Sequence, residues 1–151
     1  MIYDKQRAGM LRRIPAWLLD IILLITLATG LMAGGVRSGN SCGAFSGALM
    51  AISAVTGRSP ENMGDKQAVA DTAALCRKLY DRFMAEYGSV LCRDIQYKIM
   101  GKSYRMYDPE DMQRFLDDGG HDDKCTAVVA KAAVWHSAQL CTNGSCKCTA
   151  N

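Results

Sequence analysis

The chain has 151 residues, 49% hydrophobic and 22% charged, with a formal charge of only +3. That length supports one domain with a core of its own and is too short to expect two, and with no basic run interleaved with aromatics it excludes nucleic acid as the expected partner. Seven cysteines, odd in number and mostly far apart, do not read as a small disulfide framework; with thiols kept reduced, in a cytoplasmic setting, they suggest ligation or redox chemistry.

Residues 1–13 are a basic N-terminal segment with Lys5, Arg7, Arg12 and Arg13. An apolar run follows from Ile14 to Ala28, with Pro15 suited to a first helical turn and Gly30 a natural stop, so a helix is predicted over 14–29. The basic start, the apolar run and Ala33-Gly34-Gly35 also spell a signal peptide or membrane anchor. Against a spanning helix stand Asp20, which costs roughly 2.5–3.5 kcal/mol in mid-membrane, and a length short of the ~20 apolar residues that cross a bilayer. A core or interface helix fits better, and it leaves membrane association through 14–29, or pairing into a homodimer, open.

Glycines 30, 34, 35 and 39 mark a loop whose amides are free to point inward. No Gly-Lys-Ser/Thr and no G-x-G-x-x-G follows, so nucleotide binding is not expected. The loop runs into Gly39-Asn40-Ser41-Cys42-Gly43-Ala44-Phe45-Ser46-Gly47, the start of a helix predicted over 42–56. Asn40 or Ser41 is the expected cap, which sets Cys42 at the positive end of the helix dipole, a position that favours a thiolate. Gly43 and Gly47 leave one face bare, so a cofactor or another helix can approach the backbone. The same residues also fit a tightly packed helix with a buried, inert cysteine.

A long helix is predicted from about 65 to 87, with Thr72, Cys76, Leu79, Tyr80, Phe83 and Tyr87 along one side. Cys76 lies on that stripe and reads as a core residue. Gly88-Ser89 breaks the helix and begins another, with Ser89 as cap and Cys92 at the third helical position. The charged stretch over 101–120 reads as a solvated loop, with Glu110, Asp111 and Arg114 on the surface. Asp122 is the expected cap of the last helix, which holds Cys125 in its first turn and runs to about Leu140. Cys42, Cys92 and Cys125 are thus each predicted at a helix start, where ligand or redox cysteines collect and structural ones have no reason to.

In the Cys-rich tail, 141–151, Asn143-Gly144 signals a tight turn that would fold Cys146 and Cys148 back toward Cys141. A thiolate metal clip, a disulfide and a donor to the main site all fit. The predicted architecture is all-α: one domain over 1–151, a compact bundle of about five helices with a glycine-rich loop, its cysteine-motif core spanning 30–140.

Cys42-Gly43-Ala44-Phe45-Ser46-Gly47, Tyr87-Gly88-Ser89-Val90-Leu91-Cys92-Arg93 and Lys124-Cys125, preceded by the glycine loop, resemble the redox-active family named for the pattern C_GCAxxG_C_C over about residues 28–140. The resemblance implies a small helical protein whose cysteines are redox-active or hold an iron–sulfur centre, 2Fe-2S or 4Fe-4S. It is also similar, through the family, to the cluster-bearing part of split-Soret cytochromes. It implies Cys42, Cys92 and Cys125 as ligands, Gly39 and Gly43 beside the cofactor, and a redox protein or larger redox complex as partner. The chain departs from the pattern at one place: the family's first cysteine lies upstream of the glycine loop, near Lys5 by spacing, and no cysteine here precedes Cys42. Either a tail cysteine (Cys141, Cys146 or Cys148) supplies the fourth ligand, or the site has three thiolates, or it has been lost. An iron–sulfur electron carrier is the leading reading. A thiol–disulfide redox protein, which lacks the usual C-x-x-C pair, and a docking subunit of a redox complex that has lost its cofactor are the alternatives. His121 and His136 match no serine or carboxylate pattern, and His136 stays a reserve ligand.

Overall fold

Local sequence and long-range packing divide the work of building this bundle. The computed structural model describes residue 35 and residues 37–142. The helix predicted over 14–29, Lys5, Cys146 and Cys148 lie outside the described residues. Among the described residues five α-helices follow in order: α1 (Gly43–Thr56), α2 (Lys66–Tyr87), α3 (Cys92–Met100), α4 (Pro109–Asp117) and α5 (Cys125–Thr142). A 3-10 turn (Pro60–Asn62) precedes α2 and a π-helical turn (Gly120–Lys124) runs straight into α5. The fold is all-α; among the described residues the only extended pairing is an isolated antiparallel bridge between Ser41 and Leu91.

Helix α2 starts where Asp65 accepts from the Ala68 amide at 3.0 Å and stops at Gly88, whose φ of 74° a side chain would resist. It buries Leu75, Leu79, Phe83 and Tyr87, four residues apart on one face. Cys76 flanks that stripe, half-buried against the core. Helix α1 packs against both α2 and α5, so Phe45, Ala48 and Ile52 meet Leu79, Phe83, Val128 and Ala132. Phe83 is fully buried, with ring centroids 5.1 Å from Phe45, 5.5 Å from Trp135 and 5.6 Å from Tyr87.

Helix α4 replaces the loop expected over 101–120. Asp108 accepts from the amides of Glu110 and Asp111, and Pro109 takes the first helical position, where its missing amide costs nothing. Its one fully buried residue, Phe115, joins Tyr104 and Met106 in a small second core, with Met112 packed against it. The expected surface residues remain outward-facing or at the edge: Arg114 pairs with Asp111 at 2.9 Å and with Glu110 at 3.3 Å.

The helix starts also differ from expectation. Cys42 is itself the first flanking residue of α1, while the Ser41 hydroxyl bonds that of Ser46 at 2.7 Å. Ser89 donates to the Asp94 carboxylate at 2.6 Å and accepts from the Leu91 amide, which makes Cys92 the first residue of α3 rather than the third. Ahead of α5 the chain turns at Gly119 (φ 77°) into the π-helical turn, so Asp122 is no cap.

Candidate functional site

Residues 39–42 and 90–93 run antiparallel and clasp each other through the backbone. The Cys42 amide donates to the Val90 carbonyl at 2.9 Å, the Cys92 amide to the Asn40 carbonyl, and the Arg93 amide to the Gly39 carbonyl at 3.1 Å. This clamp holds the starts of α1 and α3 side by side, and with them Cys42 and Cys92. Gly39 belongs to the clamp, not to the cavity wall: its φ is 77° and a Cβ there would meet the Arg93 Cβ at 3.6 Å. Space is adequate and the backbone conformation is the constraint. Gly39→Ala should therefore lower stability by about 1–2 kcal/mol in urea unfolding, and Gly39→Asn by less.

Packing of α5 along α1 brings the third cysteine in. Cys42, Cys92 and Cys125 all line one cavity of about 480 Å³, together with Gly43 and Gly47 on the bare face of α1. The remaining wall is mostly apolar, with Ile95, Met106, Phe115 and Val128 in it, and among the described residues no lysine or arginine takes part. Both histidines, His121 and His136, line it as well. Cys76 and Cys141 do not. Cys141 is exposed and stands sixteen residues beyond Cys125 on the same helix, about 24 Å away at ~1.5 Å per residue. Among the described residues no three His, Cys, Asp or Glu side chains form a group that could hold one metal ion.

Burial decides the electrostatics. It raises the Cys42 thiol above its ordinary pKa, although the amides of Phe45 and Ala44 pull the other way. Burial, then the neighbouring sulfurs, pushes Cys92 up to about 12; burial and Cys42 push Cys125 up to about 11. This corrects the expectation that helix starts hold these cysteines as thiolates. The dipole contributes about 0.3–1 kcal/mol at an exposed site, and withdrawing three like-charging groups from water costs more. A cation among them would reverse the balance, since coordination deprotonates a thiol outright. In the metal-free protein at pH 8, iodoacetamide should therefore modify exposed Cys141 before any of the three cavity cysteines. Cys92 should react far more slowly, its rate rising about tenfold per pH unit from 7 to 10, because the thiolate fraction grows that way well below the pKa. Peptide mapping checks this; Cys92 reacting as fast as Cys141 at pH 7 would contradict it.

Two wall or near-wall residues were not singled out by sequence. Burial raises the hydroxyl pKa of Tyr87, read as a core residue, and its nearness to Cys42 and Cys125 adds a smaller push in the same direction. Buried Gln96 accepts the Tyr104 amide at 3.1 Å and lines the cavity, tying the second core to the site. Neither carries a local signal; only the fold places them.

The family model described as "Putative redox-active protein (C_GCAxxG_C_C)" matches residues 19–138, most of the chain. Neither a curated protein nor a solved structure matches it.

Proposed function

This chain belongs to the C_GCAxxG_C_C family, and from that premise we propose that Cys42, Cys92 and Cys125 hold an iron–sulfur cluster through which the protein passes electrons. One observation carries the reading: three cysteines from three separate segments line a single apolar cavity. The residues fit such a group. Soft thiolates select iron–sulfur centres, Gly43 and Gly47 leave α1 without side chains where the cavity needs room, and the volume exceeds that of a single ion.

A bound cluster would supply a one-electron couple and, through its irons, positive charge beside the three sulfurs. The chain's own groups do the rest. Ile95 and Val128 make the wall around the sulfurs apolar, and the amides of Ala44 and Phe45 favour negative charge on Cys42, an influence that tunes potential. Thiol–disulfide exchange needs a thiolate near neutral pH, and burial here opposes one. The partner is a redox protein or a larger redox complex, docked in part through residues 14–29. Among the described residues no helix is long and apolar enough to cross a membrane.

Anaerobic purification followed by iron and sulfide analysis tests the reading. Matching amounts of both, with broad visible absorption, are expected. A colourless protein free of iron and sulfide overturns it, and a reversible Cys42–Cys92 or Cys42–Cys125 disulfide after mild oxidation favours the exchange chemistry instead.

A further inference from the structure

We propose that His121 completes the donor set of this cavity, standing in for the upstream cysteine that the family pattern contains and this chain lacks. The inference rests on the cluster reading above and adds the fourth protein ligand to it.

Placement is the first argument. His121 lines the same cavity as Cys42, Cys92 and Cys125, and it stands four residues before Cys125 in the π-helical turn Gly120–Lys124. Imidazole and sulfur therefore leave the backbone one turn apart, both toward the cavity. Single π-turns are uncommon and concentrate at functional sites, where they re-aim side chains.

The second argument is how the ring is held. Gly120 lies so close to Phe115 that a Cβ on it would fall 2.3 Å from the ring. Phe115, fixed there and almost fully buried, takes the His121 ring edge-on, with centroids 5.0 Å apart and planes at 86°. Aromatic packing thus sets the imidazole in place, and among the described residues no hydrogen bond engages either of its nitrogens. His121 is exposed, at the rim rather than the floor of the cavity.

The other candidates on α5 are too far away. His136 lies eleven residues beyond Cys125, about 16 Å along the helix at ~1.5 Å per residue, and its Nδ1 sits 3.1 Å from the Ala132 carbonyl. Cys141 is farther still. No single cluster bound to Cys125 reaches either. Imidazole in place of thiolate removes one negative charge from the centre, which raises its potential relative to an all-cysteine site.

The test loads the full chain anaerobically with ferrous iron and sulfide and compares it with His121→Ala, His121→Cys and a Cys141→Ser/Cys146→Ser/Cys148→Ser variant. Circular dichroism confirms that each is folded. The reduced wild type should show the strong nitrogen hyperfine coupling of a directly bound histidine in pulsed EPR. His121→Ala should lose that coupling and at least half the iron; His121→Cys should keep the iron, lose the coupling and fall in potential; the tail variant should match the wild type. An iron- and sulfide-loaded wild type without the coupling, coupling that survives His121→Ala, or iron lost from the tail variant overturns the histidine ligand and leaves the cluster standing. A wild type that takes up neither iron nor sulfide overturns both, so the two failures are distinct.

Discussion

Replacing Cys42, Cys92 or Cys125 singly with serine should cut the iron retained after desalting to about a tenth or less and bleach the visible absorption, while Cys76→Ser should change neither. The three come from separate segments, the ends of the 39–42/90–93 clamp and the start of α5, yet line one cavity. A serine hydroxyl at any of them is a poor ligand for iron that is otherwise held by thiolate. Cys76 is the matched control because it is half-buried in the core and lines no part of that wall. The Cys42 site needs one more check: a hydroxyl buried without a partner costs about 1–3 kcal/mol, so iron retention is compared only among variants that unfold cooperatively. Iron loss from Cys76→Ser with retention in Cys92→Ser would place the group elsewhere.

Phe83→Ala should cost about 3–5 kcal/mol, the largest loss expected of any single core truncation here. Phe83 is fully buried at the crossing of α1, α2 and α5, in contact with Phe45, Tyr87 and Trp135 at once. Truncation removes a ring from a place that three helices cannot close around. In a chain of this size each kcal/mol moves the melting temperature by about 2–4 °C, so a fall of about 10 °C is expected in calorimetry. Phe83→Leu should recover more than half of that loss. Tyr97→Ala, at an exposed position on α3, should stay within about 0.5 kcal/mol of wild type. A Phe83→Ala loss below 1 kcal/mol would mean the aromatic cluster is not what holds the bundle.

Much of this was readable from residue order. Glycines 57 and 88 bound α1 and α2 where turn chemistry says they should, and the apolar stripe of α2 was found, though Leu75 rather than Thr72 takes its buried end. Helix starts pointed to Cys42, Cys92 and Cys125, and the fold lines one cavity with all three, though one step of that inference was misjudged. The dipole at a helix start is a local property, visible in sequence; burial is not, and burial sets the thiol pKa values here. Caps failed for a similar reason. Asn40 and Ser41 are good local caps, but their backbone is pinned to residues 90–93, a pairing that no local window contains. Helix α4 was legible and passed over: Asp108-Pro109 is a proper start, and Phe115 is inward on a surface otherwise dense with charge. His121 gains meaning only once the π-helical turn places it one turn from Cys125.

The most direct measurement is anomalous diffraction at the iron absorption edge from anaerobically grown crystals. The account predicts one compact iron peak inside the cavity, within bonding distance of the Sγ atoms of Cys42, Cys92 and Cys125. Iron located instead among Cys141, Cys146 and Cys148, with the three cavity sulfurs unbound, would contradict it.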